Sequence, residues 1–271
     1  MKIGWFSTAR GDSSRKLLDA VVSTIHSGGL DASIEFVFCS REPGESEKTD
    51  YFLSQVRQYS IPLVTSSVRS FAAGVQQQVG VKDEKLPGWR LEYDRRVMSK
   101  LADFKVDICL LAGYMLIVGP EMCSKFNMIN LHPALPSGPK GTWQDVIWQL
   151  IREREAESGV MIHLVTPDLD RGPVISFCRY AVHGGPFDAL WDALGMRTVE
   201  EIRKSEGEEN ALFKMIRQSG FIRETPLIIN TLRSFSQGTI SIDGSKRLLD
   251  SRGQSISGYE LTAEIDHEIS G

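Results

Sequence analysis

An open, mostly parallel α/β sheet of Rossmann-like topology, with helices on both faces, is predicted from three features of the sequence. Short β-branched and aromatic runs alternate with longer stretches of helical period, the pattern of strand and crossover helix. Val106 to Ala112 has apolar residues on both pleat faces, as a strand buried in the middle of a parallel sheet does. The chain has 271 residues, 41% of them hydrophobic, which is enough to bury a sizeable core without disulfide staples.

The elements follow in order. Ile3 to Ser7 is the first predicted strand and Ile34 to Cys39 the second. Leu17, Leu18, Val21, Val22 and Ile25 give the helix between them one apolar face. Phe52, Val56 and Tyr59 mark a second helix, and Ile61 to Val64 a short strand. After the central strand at Val106 come strands at Met128 to Leu131 and Val160 to Val165, separated by a helix striped with Val146, Ile147, Leu150 and Ile151. Gly172-Pro173 leads into a further strand, Val174 to Tyr180. Residues 1–183 are thus expected to form the core, and 184–271 a C-terminal helical and β-hairpin part packed on the same domain. Within that part, Trp191 to Ile216 is charged and predicts two helices around a solvated turn at Glu206 to Glu209. Pro226 at a first turn, Ile228, Leu232 and Phe235 on one face, and Gly238 past the end outline another helix. Thr239 to Leu249 predicts a hairpin about Asp243-Gly244, and the tail after Asp266 is expected to fray.

Charge narrows the function. Lys and Arg number 31 against 35 Asp and Glu, a formal net charge of −4. That balance argues against a protein built to bind nucleic acid or an anionic membrane, and the expected partners are small molecules. The longest apolar runs, such as Val106 to Gly119, break off before the roughly 18 to 20 residues that cross a bilayer. Arg10 and Asp12 follow the short apolar start too closely for a secretory signal. The four cysteines lack CxxC spacing and read as buried free thiols in a reducing cytoplasm. The expected state is a cytoplasmic monomer or homodimer.

Three segments place polar groups at predicted strand ends, where open α/β sheets bind their ligands. The first is Ser7 to Ser14. Its helix-initiating amides, Ser13, Ser14 and Arg10 suit a phosphate, although Asp12 would repel one and could equally cap the helix. In the second, Asn130-Leu131-His132-Pro133, residues two apart in a strand share a face, so an amide and an imidazole project together. The third, His163 to Pro173, presents Asp168 and Asp170 on a loop bounded by Pro and Gly. One of these carboxylates either reaches His132, fixing its tautomer and sustaining an imidazolium, or pairs with the neighbouring Arg171. The set lacks HxH or HExxH spacing, and no metal is predicted.

Taken together, Leu111-Ala112-Gly113-Tyr114-Met115, Asn130-Leu131-His132-Pro133 and Leu169-Asp170-Arg171-Gly172-Pro173-Val174-Ile175 resemble the folate-dependent formyltransferases, and most closely the branch acting on glycinamide ribonucleotide in purine biosynthesis. The similarity spans nearly the whole chain and is most specific over residues 110–175. It implies a formyltransferase fold, 10-formyltetrahydrofolate as formyl-donor cosubstrate, and Asn130, His132 and Asp170 as the catalytic trio. It further implies a pterin pocket lined by Met115, Leu116, Val118 and the Thr166, Pro167, Asp168 loop up to Asp170, with Arg90 near the folate glutamate tail, where the alternative reading is an ordinary surface charge on a helix. On the acceptor side it implies Arg10, Gly11, Ser13 and Ser14 at a phosphate, and Gln218 and Glu224 on the C-terminal helix. Here the chain departs from the family. Arg10-Gly11-Asp12-Ser13 has one glycine and an extra acid, Phe221 stands where a Glu is usual, and Met161 where a Ser is. An amino-sugar nucleotide as acceptor, hydrolysis of the formyl donor, and a non-catalytic folate- or nucleotide-binding role are the alternative readings.

Overall fold

β1 (Lys2–Ser7) and β2 (Ser33–Cys39) lie side by side in parallel, joined by α1 (Asp12–His26), whose Leu18, Val21 and Val22 are buried in the same core as Ile3, Trp5 and Val37. The structure is a computed structural model describing residues 1–77, 86–168 and 170–270. α2 (Glu47–Gln58) leads to β3 (Leu63–Thr65), and α3 (Val68–Gly74) and α4 (Gly88–Lys100) come before β4 (Ile108–Leu111). All four residues of β4 are buried. α5 (Pro120–Lys125), β5 (Met128–His132), α6 (Trp143–Glu153), β6 (Glu157–Leu164) and β7 (Val174–Ala181) complete the core.

The eight-stranded sheet has the order β10-β7-β6-β5-β4-β1-β2-β3, where β10 is Tyr259–Glu260. Alternation along β1 sends Ile3 and Trp5 to one face and Phe6 to the other, where Phe36, Phe38, Tyr93, Tyr114 and Phe126 form an aromatic core. All four cysteines are free and buried, and burial pushes the Cys39 thiol up to about 12.

Most pairings are parallel, as expected, but β6 runs antiparallel to both β5 and β7. The short 165–173 connection accounts for the pairing of β6 with β7. A parallel return needs a crossover of a dozen or more residues, whereas a tight loop can only turn the chain back.

The C-terminal part corrects two expectations. α7 (Pro186–Leu194) and α8 (Val199–Ser205) are followed by a single helix, α9 (Ala211–Ser236), which carries Pro226 in its interior instead of at a first turn. An internal Pro removes one hydrogen bond and costs about 3 kcal/mol. Burial on both sides of it offsets that cost. Leu212, Phe213 and Ile216 pack with α6, α7 and α8, while Leu227, Ile228 and Leu232 pack into the main sheet core. The predicted hairpin forms from β8 (Ile240–Ile242) and β9 (Leu248–Asp250). The tail is not frayed: α10 (Thr262–Ser270) buries Ile265 completely, Asp266 pairs with Arg223 at 2.8 Å, and Glu268 accepts from Asn230 at 3.0 Å.

Candidate active site

Antiparallel pairing of β5 with β6 sets Asn130 directly opposite His163, and His132 opposite Met161. The loop after β6 then brings Asp170 back over the same strand end. Its carboxylate stands 4.0 Å from His132 Nδ1 and 3.6 Å from His163 Nε2. Asn130 Nδ2 lies 3.4 Å from His163 Nε2, and the two imidazoles are nearly perpendicular with centroids 6.5 Å apart. Asn130, His132 and Asp170 thus converge, and Asp170 faces the histidines instead of Arg171.

Two features force Asp170 into place. Its backbone is left-handed, with φ of 53°, a conformation Asp tolerates better than most residues. Gly172 passes so close to β6 that a Cβ there would stand 1.7 Å from the Leu164 carbonyl oxygen. Gly172→Ala is therefore expected to push the loop off the strand, lowering stability by about 2 to 4 kcal/mol and displacing Asp170. Denaturant unfolding checks the stability, and a parent-like midpoint would show that the loop accommodates the methyl group.

The His132 tautomer is fixed by a different partner from the one expected. Nε2 lies 2.9 Å from the Pro139 carbonyl oxygen, which can only accept, so Nε2 carries the proton in the neutral ring. Nδ1 then turns its lone pair towards Asp170, poised to form Nδ1–H when the ring gains a proton. Burial lowers the His132 pKa below its ordinary value, against the opposing pull of the Pro139 carbonyl and Asp170, so the resting ring is neutral at pH 7 instead of an imidazolium. For Asp170, burial alone would raise the pKa. Its close contacts with His163 and His132 and the nearby Lys140 charge outweigh it, and the carboxyl stays below its usual range.

His163 is the member of this cluster to which the sequence assigned no role. It lies in the motif, but its alignment with Asn130 depends on β6 running antiparallel. Its Nδ1 is 3.1 Å from the Leu164 carbonyl, leaving Nε2 between Asn130 and Asp170.

Leu111 of β4 pairs with Asn130, so the loop after β4 starts beside the cluster. Three side chains hold its backbone. Thr8 Oγ1 accepts from the Met115 amide at 2.9 Å, Arg90 Nη2 donates to the Ile117 carbonyl at 2.8 Å, and Asp94 Oδ2 accepts from the Gly119 amide at 2.7 Å. Met115 and Ile117 project, 61% and 37% exposed, while Leu116 is half-buried. Val118 is a correction: its side chain is buried in the aromatic core and does not line an open pocket. Arg90 is another. It is buried and not at the surface, with Nη2 tied to Asp94 at 3.2 Å and Nη1 without a partner among the described residues. Opposite this loop, Pro167 and Asp168 are exposed, Thr166 donates to the Asp168 carbonyl, and Leu169 lies outside the described residues.

On the acceptor side, Gly11 caps α1 without a side-chain bond, and Arg10 and Ser13 are exposed. Ser14 is buried, and its hydroxyl donates to the Ala112 carbonyl at 3.5 Å, so it faces β4 and not a ligand. Gln218 is exposed on α9. Glu224 is committed to Arg217 at 2.5 Å, and the Arg217 guanidinium also lies 4.9 Å from the rings of both Trp143 and Phe221.

A family model described as formyl transferase matches residues 10–183, a span that contains every member of the Asn130, His132, His163 and Asp170 cluster. The chain belongs to the formyl transferase family. Among formyl transferases, phosphoribosylglycinamide formyltransferase of Escherichia coli (strain K12) is 27% identical over 171 residues, covering 62% of this chain and 69% of that protein. The protein of the same name from Haemophilus influenzae is 24% identical over 246 residues, 89% of this chain and 92% of its own length. The solved phosphoribosylglycinamide formyltransferase of Coxiella burnetii shares the fold, with a TM-score of 0.65 at 20% identity over 96% of this chain and 98% of that one. Among the described residues of this formyl transferase, no group of three or more His, Cys, Asp or Glu is placed to hold a metal ion.

Proposed function

We propose that the protein transfers a formyl group from 10-formyltetrahydrofolate to a phosphorylated primary amine, with glycinamide ribonucleotide as the first acceptor to test. The observation that carries this reading is the convergence of Asn130, His132 and Asp170 at one strand end. Beside it stands a loop whose backbone is pinned while Met115 and Ile117 remain uncovered, which suits a flat apolar ring.

The amine nitrogen bonds to the formyl carbon, and negative charge grows on the formyl oxygen. The bond from that carbon to the folate nitrogen then breaks, and a proton passes from the incoming to the leaving nitrogen. Asn130 has two amide N–H groups, of which one engages His163 and the other is available to the oxygen. His132 Nε2–H becomes a second donor when the formyl oxygen replaces the Pro139 carbonyl as its acceptor. Both bonds strengthen as charge develops, so they lower the barrier more than they favour the bound substrate. Asp170 stabilises the His132 ring when it gains a proton and, directly or through water, relays the proton between the two nitrogens.

Purified protein supplied with 10-formyltetrahydrofolate and a panel of amines tests the reading. The expected result is turnover that depends on the acceptor's phosphate. Equal turnover with dephosphorylated amines would remove Arg10, Gly11 and Ser13 from the acceptor site, and no formylated product with any amine would overturn the reading itself.

A further inference from the structure

β1, β2 and β3 are neighbours in the sheet and run parallel, so the segments leaving their carboxyl ends share one rim. Each segment carries an arginine: Arg10 after β1, Arg41 after β2 and Arg69 after β3. The rim is tied together. The Ser40 amide donates to the Ser7 carbonyl at 3.0 Å and the Val68 amide to the Ser40 carbonyl at 3.1 Å. Thr49 Oγ1 donates to the Ala9 carbonyl at 3.2 Å, and Arg41 Nη1 reaches both Ser46 and Thr49 at 3.3 Å.

Among the described residues, none of the three guanidinium groups has a carboxylate within 4.0 Å, although ten other arginines of the chain do. The acids nearby make their bonds elsewhere, although Glu45 Oε2 is buried without a partner among the described residues. Asp12 is 4.0 Å from Arg15, Glu42 accepts from Thr65, and Glu45 accepts from the Glu42 amide. Arg41 is made less basic by partial burial, then by the charges of Arg69 and Arg10, with Glu45 opposing only in part. Three guanidinium groups on one rim, none paired with a carboxylate within 4.0 Å among the described residues, repel one another, and a bound anion relieves that repulsion. Adjacent strands stand about 4.8 Å apart, so the rim from β1 to β3 is about 10 Å wide, broader than a single phosphoryl group requires.

We propose that Arg10, Arg41 and Arg69 form a subsite for two linked phosphoryl groups, which adds a diphosphate-bearing amine as acceptor to the panel beside glycinamide ribonucleotide, a monophosphate. Arg41 sits at the centre, Arg10 holds the phosphoryl group nearer α1, and Arg69 holds the outer one. The word acceptor rests on the formyl-transfer reading, but the subsite does not. Binding is therefore measured with no folate or amine present, and a failure of transfer leaves the result intact.

The experiment is calorimetric titration of the protein with inorganic pyrophosphate and with inorganic phosphate, at an ionic strength of about 0.1 M, where distant surface charges are largely screened. Pyrophosphate is expected to bind at least about tenfold more tightly than phosphate, that is by about 1.4 kcal/mol or more. Arg69→Gln is expected to erase that advantage while phosphate affinity changes less than about twofold. Arg69 is exposed and makes no side-chain bond among the described residues, so its replacement is expected to leave the fold intact. Arg252→Gln, which removes the same charge from an exposed turn elsewhere, is expected to leave both affinities unchanged. Equal affinity for the two anions, retention of the pyrophosphate advantage in Arg69→Gln, or an equal loss in Arg252→Gln would each overturn the proposal.

Discussion

Replacing His132 by alanine is expected to lower formyl transfer by a hundredfold or more while folate binding stays close to that of the parent protein. The expectation rests on position. His132 is buried at the end of β5, with Nε2–H held by Pro139 and Nδ1 facing Asp170, so its polar atoms serve the reacting group and not the pterin loop. Losing one donor to a developing oxyanion typically costs about 3 kcal/mol. Single-turnover formyl transfer, with direct titration of a folate analogue, separates the two effects, and near-parental transfer would remove His132 from the mechanism. Asp170→Asn acts through the same ring. Burial lowers the His132 pKa, and the Asp170 charge is among the groups opposing that shift, so the variant's imidazole should titrate at still lower pH, as followed by NMR. The pH dependence of stability has a definite sign. The folded-state pKa of His132 lies below the ordinary 6.5, so stability is fully expressed above that value and is lost as pH falls below it towards the depressed value.

Asp94→Ala is expected to destabilise the protein by about 3 to 5 kcal/mol, because it leaves the Arg90 guanidinium buried without a counter-charge. The intact pair is not itself a strong stabiliser. Burial raises the Asp94 pKa despite Arg90 and the Gly119 amide, so the folded environment disfavours the carboxylate relative to water. The damage comes from removing one partner. Denaturant unfolding measures it, and a loss under about 1 kcal/mol would show that water or a neighbour takes over the charge. The double variant Asp94→Ala, Arg90→Met, which removes both charges, is expected to recover much of the lost stability. It would still release the Ile117 carbonyl and the Gly119 amide, so formyl-donor affinity should fall with stability restored.

The strands and early helices were readable because their signals are local. Ile3 to Ser7, Ile34 to Cys39 and the Val146, Ile147, Leu150, Ile151 stripe each declare a period within a few residues, and the structure places them as expected. Asn130 and His132 were readable for the same reason, sharing one face of one strand. What escaped were facts that depend on distant partners. Pro226 has the local signature of a helix start, and only the two cores that α9 bridges carry the helix through it. Arg90 looks like a surface charge until Asp94 and the Ile117 carbonyl are brought against it. His163 gains its meaning from the antiparallel direction of β6 beside β5, which residue types do not advertise.

Both margins of the large sheet are stubs: β3 has three residues and β10 has two. A strand border of that length offers few free amides and carbonyls for another chain to bond, so the sheet gives little template for runaway ladder growth between molecules. Concentrating the protein should therefore yield discrete particles instead of fibrils.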